Sequence, residues 1–213
     1  MRFRKLLAST VVAAAVLGGI AGPAAASPAR EPAAAPAAAT PEPTHAQILA
    51  AQGPIGDGDW YDFDIINGVV GAILEANPSS PLALAADPNS PKLTVFLPND
   101  RAFQALAADQ LGWRYWFASE KQVASALLGA FDIPTLELVV SYHVHIGYVD
   151  SATALSVPRG TRLPMVAGGD ISVTPLRKLG TAILADNDPN DVNPFLVKSK
   201  LDIKASNGIC LLY

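Results

Sequence analysis

The residues best suited to metal chemistry in this sequence are three histidines and one cysteine. His143 and His145 lie two residues apart, so on a β-strand both would point to one face and could begin a metal site. The other histidine, His45, lies far upstream, and Cys210 lies near the end of the chain. Neither position implies the third ligand that a zinc site needs. We therefore predict no bound metal.

Residue types used by hydrolases are also present, namely Ser141, His143 and Asp150. They occur without the G-x-S-x-G turn that presents a nucleophilic serine, and closeness in sequence does not make them converge in space. The sequence has no phosphate-binding P-loop and no dinucleotide-binding G-x-G-x-x-G. We predict a protein that is not an enzyme and carries no cofactor.

The acidic segment from Asp186 to Asp191 resembles a calcium-binding loop at its first three alternating positions. Asp191, however, stands where such a loop needs glycine, and Val197 stands where it needs a bidentate glutamate. We predict a solvated turn at this segment.

Four aromatic residues, Trp113, Tyr115, Trp116 and Phe117, lie within five positions. Such a group could form a platform for a ligand, since some of its rings must point outward. Large aromatic side chains are more often packed in a core, so we favour packing against neighbouring helices. The platform interpretation supports an alternative function, that of an extracellular carrier for an apolar small ligand.

The stretch from Leu93 to Phe103 gives the clearest structural prediction. Its first five residues have the pattern of a short buried strand, and Pro98 ends that strand because proline cannot donate a ladder hydrogen bond. Asn99 and Asp100 are good helix N-cap residues, and the apolar residues after them follow helical spacing. A strand that passes directly into a capped helix fixes two core elements relative to each other.

Helical periodicity dominates before residue 147, and strand-like patterns follow it. Capped apolar runs predict helices that begin near Asp64, Ser119 and Pro134. The predicted strands cover residues 148–157, 161–166, 170–174, 176–184 and 197–204. Asn207-Gly208 predicts a hairpin into a short last strand. We therefore predict an α+β domain whose N-terminal helices pack on an antiparallel β-sheet.

The first 60 residues differ in composition from the rest. A basic start and an uncharged apolar run precede Ala24 and Ala26, which predicts a secretory signal peptide over residues 1–26. Residues 27–60, rich in alanine and proline over their first half, are predicted to form a disordered spacer with a short helical turn from His45 to Ala51, so we expect the domain to span 61–213. The mature chain is then secreted or associated with the cell envelope, without a transmembrane anchor.

Cleavage after residue 26 would remove three of the 15 lysine and arginine residues and none of the 19 acidic residues. The mature chain would then have a net charge of −7 with histidine neutral. That charge argues against a nucleic-acid partner, which normally requires a basic face. A single cysteine also excludes an internal disulfide framework.

Two motifs together resemble the fasciclin-like domain family. Thr94 to Phe103, T-V-F-L-P-N-D-R-A-F, is similar to the first signature segment of that family, and Leu138 to Gly147 is similar to the second. Asp202 to Ile209 resembles the family's last conserved segment, and the resemblance covers roughly residues 61–213. The matching positions are Thr94, Val95, Phe96, Pro98, Asp100, Phe103, Tyr142, His143, Gly147, Asn207 and Gly208.

The resemblance implies a non-enzymatic role in adhesion or in contact with a cell-surface or matrix protein or polysaccharide. The short signal peptide and the alanine- and proline-rich spacer indicate a secreted, bacterial, single-domain protein. The resemblance also implies that Tyr142 and His143 are a structural pair, with His143 buried and hydrogen-bonded to Asp100 or Thr94. The same pair is associated with receptor recognition in animal members. Tyr142 and His143 are therefore the candidate binding residues.

The sequence departs from the family at its end. Leu211 stands where the family has histidine, and the family continues with several more strand residues. We expect a truncated last strand that exposes a sheet edge and lowers stability. Cys210, which lies in this strand, could pair with a cysteine of a second chain.

Overall fold

The computed structural model describes residues 41–186 and 193–213. The predicted signal peptide, the first part of the predicted spacer and most of the predicted acidic turn lie outside the described residues. The helices are α1 (His45–Ala50), α2 (Asp64–Ala76), α3 (Asp100–Leu111), α4 (Glu120–Ala130), α5 (Ile133–Ser141) and α6 (Ser151–Ser156). The strands are β1 (Leu93–Leu97), β2 (Val144–Ile146), β3 (Thr161–Pro164), β4 (Asp170–Leu176), β5 (Thr181–Ala185), β6 (Ile203–Ala205) and β7 (Gly208–Leu212).

Two sheets organise the domain. The larger sheet has the order β2-β1-β7-β6, in which β1 is antiparallel to β2 and parallel to β7, and β6 and β7 form a hairpin. The smaller sheet is the antiparallel meander β3-β4-β5. The predicted α+β class is confirmed, and the central sheet is mixed because of the parallel β1–β7 pair.

The last strand lies inside the larger sheet. All five residues of β7 are buried, and each pairs with a residue of β1, from Gly208 with Leu93 to Leu212 with Leu97. The expectation that this strand exposes a sheet edge is wrong, because β1 and β6 flank it on both sides.

Both faces of the central sheet are covered. Val95, Cys210 and Leu212 pack into a core with α2 to α5, whereas Phe96 and Leu211 pack into a second core with the meander. A strand buried on both faces reads as a continuous apolar run, which explains the composition of β1 and β7. Within the described ranges no single helix is long and apolar enough to cross a membrane, although α4 and α5, joined with a 113° bend, reach that length and composition together.

Three strand predictions are wrong. Residues 177–180, inside the predicted strand 176–184, form the turn between β4 and β5. Residues 151–156 form α6 because the Asp150 side chain caps it by accepting a hydrogen bond from the Thr153 amide at 2.7 Å. The predicted strand 197–204 is interrupted by a 3-10 turn at Lys198–Lys200 and by Asp202, whose φ of +58° is left-handed. Only Ile203–Ala205 remains as a strand.

The packed structure begins before residue 61. Thr44 and Gln47 form a capping box at the start of α1, and His45, Ile48 and Leu49 of that helix are buried against the domain. The second part of the predicted spacer therefore includes a helix that belongs to the core, because its apolar residues pack against the rest of the domain.

Candidate functional site

Tyr142 and His143 follow directly after α5, and their polar atoms are used inside the fold. The Tyr142 hydroxyl donates to the Asp170 carbonyl at 3.1 Å. His143 Nδ1 lies 2.7 Å from the Val139 carbonyl, and Nε2 lies 2.5 Å from the Tyr213 hydroxyl. Because a carbonyl only accepts, Nδ1 carries the proton and Nε2 accepts from Tyr213. Burial lowers the pKa of His143, which keeps the ring neutral.

The predicted partners of His143 are wrong. The Thr94 hydroxyl instead donates to the Gly147 carbonyl and accepts from the Val149 amide, both at 2.8 Å. Asp100 accepts from the Ile65 amide at 3.1 Å, at the start of α2. Thr94 thus fixes the chain after β2, and Asp100 joins α3 to α2.

His145 is buried in β2 and does not share a ligand position with His143. Its Nδ1 lies 2.8 Å from the Pro164 carbonyl. A Cβ at Gly147 would lie 2.5 Å from His145 Nε2, so only glycine fits beside this ring. The two histidines therefore serve separate structural contacts.

The Asn207 side chain joins three distant segments. Its Oδ1 accepts from the His45 amide at 3.1 Å and lies 2.7 Å from His45 Nδ1, while its Nδ2 donates to the carbonyls of Leu84, Ala85 and Asp87. A Cβ at the next residue, Gly208, would lie 1.9 Å from the Leu93 carbonyl oxygen, which requires glycine at that position. We call the pair Asn207 and His45 the polar knot. The sequence signal that places His45 at the start of a helix is the capping box formed by Thr44 and Gln47.

The aromatic group lies mostly at the surface, contrary to the packing interpretation that we favoured. Trp113 is 74% exposed, Trp116 45% and Phe117 81%, whereas Tyr115 packs partly against the core. Trp113 and Phe117 meet edge to face with their centroids 5.8 Å apart, and the Arg101 guanidinium lies 5.7 Å from the Trp116 ring centre. We call Trp113, Trp116 and Phe117 the aromatic ridge.

A groove of about 560 Å³ lies beside the ridge. It is lined by Arg114, Tyr115, Phe117, Ala118, Lys121, Gln122 and Ser125. A second cavity, inside the helical core, holds only about 30 Å³ and is lined almost entirely by apolar side chains. Ligand pockets usually measure about 300–1,000 Å³, so of these two cavities the surface groove has a suitable size.

The hydrolase residue types are not arranged as a catalytic group. Asp150 caps α6 and His143 binds Val139 and Tyr213, so neither polarises Ser141. Cys210 is fully buried, and burial raises the pKa of its thiol to about 12. A buried protonated thiol does not support the predicted possibility that Cys210 forms a disulfide with a second chain.

Asp100 lies among other carboxylates, a grouping that the sequence motifs do not indicate. One carboxylate oxygen from each of Asp62, Asp64 and Asp100 lies within 4.8 Å of the others. Burial, reinforced by Asp64 and Asp62, raises the pKa of Asp100 to about 10. The signal that was available is the presence of an acidic residue at the first position of α2, α3 and α4.

The fold is similar to a solved structure described as a FAS1 domain pair from the insect cell adhesion molecule Fasciclin I. The TM-score is 0.53 at 14% sequence identity, and the match covers 81% of this chain and 49% of that chain. This chain therefore has a fasciclin-like fold, as the two motifs predict, and spans about half the length of that structure. The sequence matches no protein-family model and no curated protein.

Proposed function

We propose that this chain is a secreted or cell-surface interaction protein of the adhesion type, without enzymatic activity, that binds its partner through the aromatic ridge. The exposure of Trp113 and Phe117 is the observation that carries the proposal. Full burial of one large apolar side chain stabilises a protein by about 1.5–3 kcal/mol. Rings left at the surface forgo that gain until a partner covers them.

The composition of the ridge suits a recognition surface. Tryptophan, tyrosine and arginine are the residues most enriched among those that dominate binding energy in protein interfaces. Arg101 lies over Trp116, and Arg114 lies over Tyr115 with 5.0 Å between its guanidinium and the ring centre. The partner we propose is a cell-surface or matrix protein or polysaccharide.

The solved FAS1 domain pair comes from a cell adhesion molecule, which supports the adhesion class for this chain. The predicted signal peptide over residues 1–26 supports export. We assign Tyr142 and His143 a supporting role rather than direct recognition, because the hydroxyl and both ring nitrogens already have partners within the fold.

The proposal is tested with alanine at Trp113 and Phe117, separately and together. We expect each variant to weaken retention on cell-envelope and matrix fractions at least about tenfold, because ridge aromatics are expected to act as binding hot spots. Tyr148→Ala, which removes an aromatic that is 49% exposed outside the ridge, is the matched control and should bind as the parent does. Equal retention of parent and ridge variants would overturn the proposal.

The carrier function remains the second candidate because the groove beside the ridge has the volume of a small-ligand site. Native mass spectrometry of the purified chain separates the two functions. A stoichiometric lipid or pigment that is lost in Phe117→Ala would favour the carrier and contradict pure adhesion.

A further inference from the structure

Five carboxylates converge where three helices begin. Asp64, Asp100 and Glu120 are the first residues of α2, α3 and α4. Asp62 forms a group with Asp64 and Asp100, and Asp57 forms a second group with Asp64 and Glu120. Within each group, one oxygen of every carboxylate lies within 4.8 Å of the others. Asp64 belongs to both groups, so the five side chains form one carboxylate cluster.

Backbone amides hold three of these carboxylates by one oxygen each. Gly56 donates to Asp64 Oδ2, Ile65 donates to Asp100 Oδ1, and the Gly58 amide donates to Oε2 of the α4 glutamate, each at 3.1 Å. These bonds fix the orientation of the side chains. They also leave the second oxygen of each carboxylate available.

Four carboxylate oxygens of the cluster are buried and have no donor outside the cluster. Across residues 41–186 and 193–213, the buried oxygens that receive no hydrogen bond from outside the cluster include Asp62 Oδ1, Asp64 Oδ1, Asp100 Oδ2 and Glu120 Oε1. Within the cluster, the Asp100 carboxyl, whose pKa burial raises to about 10, can share its proton with Asp62 or Asp64. The side chains themselves are 8%, 1%, 0% and 2% exposed, in the same order. Buried carboxylate oxygens normally have a donor or a cation, because burial without one costs several kcal/mol.

No basic side chain of the described ranges forms an ion pair with the cluster. The nearby cations have other contacts: Lys121 packs across Gly56, Lys200 donates to the Tyr61 carbonyl, and Arg101 donates to Gln104. Three helix N-termini contribute about half a positive charge each, or roughly one and a half charges. Asp100, whose pKa burial raises to about 10, holds a proton near neutral pH, and the other four carboxylates exceed that compensation.

We propose that Asp57, Asp62, Asp64, Asp100 and Glu120 bind a hard divalent cation, and that calcium is the occupant. Carboxylate oxygens are the preferred ligands of calcium and magnesium. Magnesium usually retains several waters, for which a cluster with four buried carboxylates leaves little room, whereas calcium accepts six to eight protein oxygens with flexible geometry. Asp57 is exposed and marks the entry from solvent.

Such a cation would join the loop 56–64 to the starts of α2, α3 and α4. The start of α4 also carries Lys121, which lines the groove beside the aromatic ridge. The proposed site is independent of the proposed function, since its carboxylates are not part of the ridge.

The test uses the parent chain after treatment with EDTA and desalting, titrated calorimetrically with CaCl2 and, separately, with MgCl2. We expect saturable calcium binding, and at a calcium concentration of about 100 times Kd a rise in Tm of roughly 5–10 °C. Absence of both binding and a Tm rise with either metal would overturn the proposal. A response to magnesium alone would overturn calcium as the occupant.

Asp57→Asn is the principal variant, because Asp57 is exposed and its substitution leaves the buried packing intact. We expect a loss of calcium affinity of at least about tenfold and a matching loss of the calcium-dependent Tm rise. Asp109→Asn, which removes an exposed carboxylate on α3 outside the cluster, is the matched control and should retain both. Full retention of calcium binding in Asp57→Asn and in Asp64→Asn would overturn the assignment of ligands.

Discussion

The polar knot and the carboxylate cluster are both buried and polar, yet they differ in how far their atoms are satisfied. In the polar knot the Asn207 amide uses both of its polar atoms, with donors or acceptors from two distant segments, at His45 and at residues 84–87. In the carboxylate cluster four buried oxygens receive no hydrogen bond from any described residue outside the cluster.

This difference separates a structural role from a binding role. A side chain whose donor and acceptor atoms are all matched, as those of the Asn207 amide are, stabilises one arrangement of the chain and has no polar atom left to offer a ligand. Buried oxygens without partners are costly to the fold alone, so their retention is better explained by something that binds them. Substitutions in one region at a time test this contrast.

The largest effect is expected for Asn207→Ala. The substitution leaves the His45 amide and three carbonyls of residues 84–87 without their partner in a buried site. We expect unfolding to become easier by about 3–5 kcal/mol, measured by urea denaturation. Asn89→Ala, at an exposed position of the preceding loop, is the control and should change stability by less than about 0.5 kcal/mol. A loss below about 1 kcal/mol at Asn207 would show that the polar knot is not a major structural element.

Much of the fold was accessible from local signals. The strand from Leu93, its end at Pro98 and the cap at Asn99 follow from intrinsic preferences of those residues, and the Ala102 amide does donate to Asn99 Oδ1 at 3.1 Å. The strand predicted at 148–157 was wrong because the prediction followed the strand-like pattern of these residues and gave no weight to Asp150 as a helix cap. Local capping chemistry decided that segment.

The long-range contacts were not accessible in the same way. The bond between Asn207 and His45 spans 162 positions, and the parallel pairing of β1 with β7 places the last strand inside the sheet. The carboxylate cluster likewise depends on three helix starts meeting in space. The sequence shows each acidic first residue separately, and only the fold shows that they converge.

A smaller effect is expected for Asp64→Asn in the presence of EDTA, and it is a stabilisation, opposite in sign to the effect of Asn207→Ala. The asparagine can still accept the hydrogen bond from the Gly56 amide, and the substitution removes one carboxylate from a cluster of five acidic side chains at close range. Two like charges about 4 Å apart repel by roughly 4 kcal/mol at an effective dielectric of 20. Because the cluster is partly protonated, Asp64→Asn removes less repulsion than that, and we expect stabilisation of about 1–3 kcal/mol.

Thermal unfolding of parent and Asp64→Asn in EDTA measures this change, with Asp109→Asn as the control for loss of an exposed charge. Destabilisation in EDTA would mean that Asp64 is matched by its surroundings. The carboxylate cluster would then resemble the polar knot, and the contrast between the two regions would disappear.

The smallest expected effect concerns the protonation of His45. Its Nδ1 faces Asn207 Oδ1 at 2.7 Å and its Nε2 faces the Ile209 carbonyl at 3.2 Å, so two acceptors favour the charged ring. Burial opposes that charge, and as the larger cause it lowers the pKa of His45 below the ordinary value of 6.5. The unfolded chain therefore takes up a proton before the folded chain does as the pH falls.

The contribution of His45 to stability is then complete above pH 6.5 and is lost as the pH falls below it, by about 1.4 kcal/mol for each unit of pKa depression. Urea denaturation of the parent and of His45→Gln between pH 7.5 and 5 isolates this term, because His143 titrates equally in both. We expect the stability difference between the two chains to shrink as the pH falls. A difference that grows would mean that the two acceptors outweigh burial and raise the pKa of His45. The imidazole ring in the polar knot would then be protonated.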